Sequence, residues 1–371
     1  MQTPLPPHTS THPLDRIDRI EAARRQVLLE GSLNPSQWVP PWIDRSWRRC
    51  LALGQTHDRP LVFNAVSARD VAAALETSQP LLRAAAPVIR SLARVMADTR
   101  YFAILTNAQG VVIDVNGPID RHDPHADLIA RVGVDLSEHA VGTTAIGTTL
   151  TELQPVWLHR GEHFFNDAAV YSCAGAPLFG PDGRCVGMLD LTGIQVPERP
   201  ALKHLVTQSA RSIENALTLA QPHELLLRIN WLDRPLGQDG DGLVCLDGDG
   251  WLTGTNRAAA EILALVPGQR LPHADDVFAV ASDQLFEQGR HHRAALEVPL
   301  WSGLRLQLQA QLSHDGAQLV SPPSASLKDV EAALIRKAVQ DARGNVTEAA
   351  SKLGISRATV YRKLPRQRRD G

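Results

Sequence analysis

Residues 344–364 read GNVTEAASKLGISRATVYRKL and predict two short helices joined by a tight turn. The first helix, VTEAASKL, is closed by Gly354, because glycine adopts the left-handed backbone of such a turn at little cost. Ser356 caps the second helix, RATVYRKL, and Pro365 ends it. A small residue, Ala350, lies where the two helices approach most closely. This combination is typical of a helix-turn-helix.

A longer amphipathic helix is predicted just before this pair. The run SLKDVEAALIRKAVQDA begins with Ser326 as its N-cap, and Gly344-Asn345 follows it as a turn. Its apolar residues recur at helical spacing, at Leu327, Val330, Leu334 and Ala338. Ile355 and Val360 of the later pair supply apolar contacts to hold the three helices together. A three-helix module for protein contact is the alternative interpretation.

The charge of the chain is unevenly distributed. The total of 38 Lys+Arg and 40 Asp+Glu gives a net charge of -2, which alone would argue against nucleic-acid binding. Residues 327–371 contain eleven basic and five acidic side chains, a net +6, which leaves -8 for the rest. Such a concentration is the electrostatic footprint of a nucleic-acid contact. The basic and hydroxyl side chains predicted to contact DNA are Ser356, Arg357, Thr359, Arg362 and Lys363.

The run quoted at the outset resembles the Fis-type helix-turn-helix that closes bacterial enhancer-binding activators. That family binds double-stranded DNA as a dimer at palindromic sites. The resemblance implies a homodimer on operator DNA, with the helix Leu327–Asp341 forming much of the dimer contact. Pro365 departs from the family pattern, because it ends the recognition helix early.

Length and composition are those of an ordinary folded protein with two or three domains. The chain has 371 residues, of which 43% are hydrophobic and 21% charged. No apolar run approaches the roughly 20 residues of a membrane helix, and the N-terminus lacks a secretory pattern. The four cysteines are far apart, which indicates a reducing compartment. We therefore expect a cytoplasmic, nucleoid-associated protein that needs no cofactor.

The middle of the chain predicts an α+β domain. Helices are expected over residues 41–54, 79–97 and 202–220. Strands are expected over residues 102–106 and 111–115, and two more flank the turn Pro181–Gly183. We expect a five- or six-stranded antiparallel sheet flanked by helices.

This region also resembles a known family. The pieces SWRRCLALG, SEHAVGTTAIGTTL, EHFFNDAAVYSCAGAPLFGPDG and GMLDLTG, spread from Trp42 to Leu219, are similar to the GAF sensory domain of the acetoin catabolism regulators. The resemblance implies a small-molecule effector such as acetoin. Two departures from the family pattern are the second Thr of VGTTAIG and Ala174-Gly175. The polar residues expected to line its pocket are Glu138, Thr143, Thr144, His163, Cys173 and Asp190. For each of them, a role as a helix cap, turn or buried structural group is the alternative.

A second α+β region follows. Strands are expected at Gly242–Leu246 and Trp251–Gly254, with Asn256 capping a helix over Arg257–Leu265. Two further strands are expected over residues 294–301 and 304–312. The order is similar to a PAS-like domain. The acidic run at 239–241 fits a hairpin turn better than a calcium loop, because Leu243 occupies a ligand position.

Five segments follow from these patterns. Residues 1–40 are a partly disordered N-terminal segment, 41–221 a GAF-like sensor with N-terminal helices, 222–313 a PAS-like domain, 314–325 a linker, and 326–371 the Fis-type helix-turn-helix. The expected fold class is therefore one or two α+β sensor domains with an all-α C-terminal helix-turn-helix.

The resemblance would also place an ATPase between sensor and helix-turn-helix, but no GxxxxGK[ST] string occurs. We therefore expect no ATPase activity, and action by recruiting RNA polymerase, occluding a site or pairing with an ATPase-bearing relative.

An enzyme is also disfavoured, since GxSxG, HExxH and GxGxxG motifs are missing. Polar loops explain His122, His125 and His291-His292 better than a metal site does. The alternative function is a redox-sensing or enzymatic protein that uses Cys173, with an incidental basic tail.

Overall fold

The computed structural model describes residues 15–291 and 294–313. Toward the C-terminus it describes residues 335, 338, 339, 342, 345–353, 357 and 360. The helices are α1 (Arg16–Arg24), α2 (Pro41–Ala52), α3 (Ala68–Thr77), α4 (Gln79–Met96), α5 (Pro124–Ile129), α6 (Glu138–Val141), α7 (Ala145–Glu152), α8 (Leu202–Leu219), α9 (Arg257–Ile262), α10 (Ser282–Arg290) and α11 (Val346–Leu353).

The strands form two antiparallel sheets of five strands each, in the orders β2-β1-β5-β4-β3 and β8-β7-β6-β10-β9. Antiparallel sheets flanked by helices were predicted, and this arrangement is confirmed. The strands are β1 (Tyr101–Asn107), β2 (Val112–Asn116), β3 (Val156–His159), β4 (Tyr171–Phe179), β5 (Cys185–Ile194), β6 (Leu225–Trp231), β7 (Gly242–Leu246), β8 (Leu252–Thr255), β9 (Leu296–Pro299) and β10 (Arg305–Leu312).

The first sheet is buried on both faces, as its apolar sequence requires. In β1, Phe102 and Ile104 point into one core while Ala103 and Leu105 point into the other, because side chains alternate along a strand. The second of these cores is covered by α4 and α8, which pack on each other. The apolar stripe of α4 consists of Leu81, Ala85, Ile89, Leu92 and Met96.

The second sheet has its own core, which includes Leu227, Val244 and Leu308. Helix α10 packs on β10. Asn256 caps α9 as the sequence predicted, since its side chain accepts from the backbone N–H of Ala259 at 2.9 Å.

The two sheets are joined by α8 and by the β4–β5 turn. Leu219, the last residue of α8, packs on Leu226, Leu243 and Cys245 of the second sheet. The predicted turn Pro181–Gly183 contacts the second sheet directly. There the backbone N–H of Thr255 donates to Pro181 O at 2.9 Å, and that of Gly268 donates to Asp182 O at 3.0 Å.

Part of the N-terminal segment is helical and packed, which the sequence did not indicate. Helix α1 begins at an Asp15 cap, continues into a wider helical turn at Arg25–Leu29, and buries Ile20, Ala23 and Val27 in the first core. This segment therefore belongs to the wall of the first domain.

The described residues near the C-terminus fit the predicted three-helix packing. Ile335, Ala350 and Val360 form one small buried cluster. Asn345 caps α11, because its Oδ1 accepts from the backbone N–H groups of Thr347 and Glu348, each at 3.2 Å. Of the apolar residues predicted to hold these helices together, Ile355 lies outside the described residues.

In the part of the chain that the structure describes, no helix is long and apolar enough to cross a membrane.

Candidate functional site

A cavity lies between the first sheet and the segments that cover it. Strands β4 and β5 provide its floor, the start of α7 one wall, and the loops around residues 61–63 and 163–168 the rest. Its lining residues are Leu61, Phe63, Ile129, Leu136, Thr144, Ala145, Ile146, His163, Ala168, Tyr171, Cys173, Asp190 and Thr192.

The cavity is small and mostly apolar. About 320 Å³ among these side chains is free of protein atoms, part of it open to solvent. In this conformation there is room for about one water molecule. A ligand of several atoms therefore requires the surrounding side chains to move.

His163 presents an acceptor to the cavity. Its Nδ1 lies 2.8 Å from the carbonyl oxygen of Arg160, to which it donates, so Nε2 is unprotonated. Nε2 is buried and has no hydrogen-bond partner. Complete burial lowers the pKa of His163 to about 4, which keeps the ring neutral at physiological pH.

Asp190 presents the second unpartnered polar atom. The side chain is 0% exposed, and its Oδ1 has no partner. Thr192 donates its hydroxyl to the other oxygen, Oδ2, and lies 3.4 Å from Cys173 Sγ. Burial raises the pKa of Asp190 to about 7, so both protonation states are accessible near neutral pH.

Four of the six predicted pocket residues line this cavity: Thr144, His163, Cys173 and Asp190. Thr144 also caps α7, because its Oγ1 accepts from the backbone N–H of Gly147 at 3.1 Å. Thr144 therefore both caps a helix and lines the cavity.

Glu138 and Thr143 do not line the cavity. They instead join α2 through a buried polar network. Ser46 Oγ lies 2.7 Å from both Glu138 Oε2 and Thr143 Oγ1, and Arg49 Nε donates to Glu138 Oε1 at 2.6 Å. Arg49 also bonds Glu152 at 2.8 Å. This network fixes α2 against the two helices next to the cavity.

Several lining residues carried no sequence signal for a pocket. Phe63, Ile146 and Tyr171 are apolar or aromatic residues of ordinary core type, and only the folded arrangement brings them together. The Tyr171 hydroxyl is already satisfied, since it donates to His125 O at 3.1 Å. His163 and Asp190 therefore carry the unsatisfied polarity of the cavity.

The environment of Cys173 argues against a reactive thiol. It is 4% exposed, and burial together with nearby Asp190 raises the pKa of its thiol well above the ordinary value. A protonated, enclosed thiol is a poor nucleophile. Among the described residues, no group of three His, Cys, Asp or Glu side chains is placed to hold a metal ion.

Of the residues predicted to contact DNA, the structure describes Arg357. It is helical and exposed, while Val360, three residues on, is buried against Ile335 and Ala350. Arg357 therefore lies on the outer face of its helix. The other predicted contacts, Ser356, Thr359, Arg362 and Lys363, lie outside the described residues.

A sensor domain followed by a Fis-type helix-turn-helix defines the class of this chain. The family described as bacterial regulatory protein, Fis family, matches residues 326–366. The family described as MimR, N-terminal domain, matches residues 17–215, and the chain belongs to it. The match includes α1 as well as the first sheet.

Curated relatives carry names of transcription regulators. The propane 2-monooxygenase operon transcriptional activator MimR of Mycolicibacterium goodii is 30% identical over 64% of this chain and 40% of its own length. The acetoin catabolism regulatory protein of Cupriavidus necator is 30% identical over 60% of this chain and 34% of its own. The chain thus spans less than half the length of these relatives. The crystal structure of the E. coli DhaR(N)-DhaL complex shares 17% identity over 74% of this chain and all of that chain, with a TM-score of 0.46.

Proposed function

We propose that this chain is a ligand-responsive, DNA-binding transcription regulator. A small metabolite binds in the cavity of the first, GAF-like domain and changes the DNA affinity of a dimeric helix-turn-helix. The observation that carries the proposal is the pair of buried, unpartnered atoms, His163 Nε2 and Asp190 Oδ1, in one apolar cavity. Buried polar atoms are almost always bonded, so two orphans facing one space indicate a missing ligand or water.

The two atoms restrict the chemistry of the effector. His163 Nε2 accepts a hydrogen bond and therefore selects a hydroxyl or amine donor. Asp190 accepts when ionised and donates when protonated. The remaining lining is mostly apolar and uncharged, so it offers a charged ligand no counter-charge other than Asp190 itself. The effector is accordingly a small, uncharged, hydroxylated molecule, and acetoin and 2,3-butanediol are the first to test.

Calorimetric titration of the full chain with acetoin and with 2,3-butanediol tests this site. Asp190→Asn and His163→Gln are expected to weaken binding at least tenfold, because each changes one of the two polar contacts, at about 1.4 kcal/mol per tenfold. Asp114→Asn is the matched control, since Asp114 lies on β2 of the same sheet outside the cavity lining. Equal affinities of all three variants and the unaltered chain would exclude the site.

The DNA side of the proposal has its own test. A ligand changes DNA affinity only as far as it prefers the DNA-competent arrangement of the dimer. Purified protein with fragmented genomic DNA, sequenced after capture with and without acetoin, is expected to recover palindromic sites whose occupancy changes with the ligand. Recovery of random fragments in both conditions would contradict a sequence-specific regulator.

The domain arrangement and mode of action belong to the same proposal. Residues 41–221 are the GAF-like sensor, 222–313 a PAS-like domain, 314–325 a linker and 326–371 the DNA-binding unit. No ATP hydrolysis is involved, so the chain acts by recruiting RNA polymerase, by occluding a site, or by pairing with an ATPase-bearing relative. It works in the cytoplasm, associated with the nucleoid.

A further inference from the structure

The loop that carries His163 into the cavity is held from outside the sheet. It spans residues 160–166, between β3 and β4, and begins with Arg160 in a left-handed conformation at φ 51°. The pairing of β3 with β4 ends at His159, so the carbonyl groups of the loop lie outside the strand ladder. Another part of the chain must therefore satisfy them if the loop is to keep one conformation.

Arg24, the last residue of α1, supplies those hydrogen bonds. Its Nη1 donates to the carbonyl oxygens of Gly161 at 2.9 Å and of His163 at 2.6 Å. Its Nη2 donates to Phe164 O at 3.1 Å and to Asn166 Oδ1 at 2.7 Å. One guanidinium thus binds four oxygens of a single loop. The planar fork of arginine makes such a fan of bonds possible, whereas lysine has a single donor atom.

No carboxylate lies among these hydrogen-bond partners, and the guanidinium also lies over the Trp47 ring, 5.8 Å from its centroid. Burial lowers the pKa of Arg24 to about 10, which still leaves it charged at neutral pH. Placing a cation among carbonyl groups costs desolvation energy, and ordered hydrogen bonds to the loop offset that cost.

The rest of α1 reinforces the contact. Ile20 lies so close to Gly161 that a Cβ there would approach its Cγ2 at 3.1 Å. Arg16 donates to both carboxylate oxygens of Glu162 at 2.8 Å, and Trp47 of α2 donates its Nε1–H to the backbone carbonyl of the same residue at 3.0 Å.

We propose that Arg24 is a positioning residue for the effector cavity, and that α1 acts through it to fix the place and the tautomer of His163. The link is direct, because Arg24 bonds the carbonyl of His163 while the ring of His163 bonds the carbonyl of Arg160 in the same loop. The effect of Arg24 on effector binding rests on the proposed function. The contacts between Arg24 and the His163 loop do not depend on any ligand.

The first test measures the titration of His163 by NMR in the absence of any ligand. The titratable and charged groups near the His163 ring are Arg24 on α1, His159 at the end of β3, Arg160 in the loop and Tyr171 on β4. Cys173 and Asp190 line the same cavity. Histidine labelled at Cε1 reports the titration of His163 by NMR, with the signal assigned from His163→Gln. In the unaltered chain His163 is expected to titrate near pH 4. In Arg24→Met it is expected to titrate closer to its ordinary value of 6.5, because the loop loosens and admits water.

Two further variants separate position from charge. Arg24→Lys keeps the charge but has one donor atom for four oxygens. The pKa of His163 is therefore expected to remain above that of the unaltered chain, as in Arg24→Met. Arg25→Met removes the next, exposed arginine and is expected to leave the titration unchanged. Full restoration by Arg24→Lys would mean that only the charge matters and would overturn the proposal. An unchanged titration in Arg24→Met would overturn it as well, and if that variant does not fold, Arg24→Lys decides alone.

The second test uses 2,3-butanediol as the probe. Calorimetry is expected to show at least tenfold weaker binding to Arg24→Met and Arg24→Lys, and unchanged binding to Arg25→Met. If butanediol binds none of the chains, the assignment of the effector fails while the NMR titration still decides the role of Arg24. If it binds all four equally, Arg24 does not position the site.

Discussion

Arg49 Nε lies 2.6 Å from Glu138 Oε1, and this contact ties α2 to α6 beside the cavity of the first domain. Glu138 had been expected to face the ligand, and it instead completes an internal ion pair with Ser46 as a further donor. The hydrogen bonds to both glutamates raise the pKa of Arg49, which keeps it charged throughout the accessible range. A buried carboxylate with both oxygens bonded is a structural part of the domain.

Arg49→Met is expected to lower the free energy of unfolding by about 2 kcal/mol, because it leaves Glu138 enclosed without its cation. Water compensates part of the loss, since the Arg49 side chain is 34% exposed. Urea unfolding followed by circular dichroism measures the change. Arg45→Met is the control, because Arg45 is more exposed and pairs with Glu152 alone. Equal midpoints for the two variants would contradict a structural role for the Arg49–Glu138 pair.

Glu214 should make the stability of the chain depend on pH. It is buried on α8, where its Oε1 accepts from the backbone N–H of Phe179 at 3.0 Å. Burial raises its pKa from 4.5 to about 7. Between these pH values the folded state binds more protons than the unfolded state, so the Glu214 contribution to stability falls as pH rises from 4.5 to 7 and is constant above.

Glu214→Gln keeps an acceptor for Phe179 and removes this titration. The variant should match the unaltered chain at pH 4.5 and exceed its free energy of unfolding at pH 8 by about 1–3 kcal/mol. Melting temperatures from pH 4.5 to 8 provide the measurement. Glu76→Gln serves for comparison, since that side chain is exposed on α3. A constant difference between Glu214→Gln and the unaltered chain across this range would show that Glu214 does not titrate as described.

Gly254 permits the close approach of the two sheets. A Cβ at this position would lie 2.9 Å from Pro181 Cβ in the β4–β5 turn, and neither the ring nor the strand can easily give way. Gly254→Ala is expected to destabilise the pair of domains by about 1–3 kcal/mol, as overpacking does. Calorimetric melting measures it. Gly240→Ala, where nothing lies within 4 Å, should have no such effect. Identical melting temperatures for Gly254→Ala and Gly240→Ala would show that the approach of Gly254 to Pro181 is not tightly packed.

Arg357→Ala should weaken binding to the recovered operator by about 1–3 kcal/mol if the side chain reads a base. The exposed position of Arg357 beside buried Val360 is the structural reason. Fluorescence anisotropy at several salt concentrations measures both affinity and its salt dependence, which should be steep for a phosphate-contacting domain. Arg90→Ala, an exposed change on α4, is the charge control. Unchanged operator affinity in Arg357→Ala would remove this residue from the DNA interface.

Much of the fold was predictable from local patterns. The hairpin of β1 and β2, the turn Pro181–Gly183 and the Asn256 cap each depend on a few adjacent residues, so sequence patterns were sufficient. The two short helices α6 and α7 were not predicted. Helix α6 has four residues, too few for a helical period, and the sequence of α7, AIGTTLTE, is rich in glycine and threonine, which are weak helix formers.

The sequence predicted some of the polar residues that line the cavity but not which of the candidates would face it. A polar residue near a pocket can turn either into it or into the surrounding structure, and the sequence carries no sign of which partner is nearer. Thus Glu138 finds Arg49, while Asp190, on a strand with no cation beside it, is left facing the cavity. The contacts of Arg24 were equally hidden, since its loop partners are three backbone carbonyls and the Asn166 side chain, all more than 130 positions away.

Helix α8 has a consequence for anyone who wishes to exchange sensors between regulators of this kind. Its Ile213 and Leu217 belong to the core between the first sheet and α4, whereas Asn215 bonds Asn256 at 2.7 Å and the carbonyl of Thr218 accepts from Cys245 of the second sheet. A chimera whose junction lies between the two sheets would break the contacts that α8 makes with one of them. Both sheets should therefore be transferred together as one unit, with the fusion junction after residue 313.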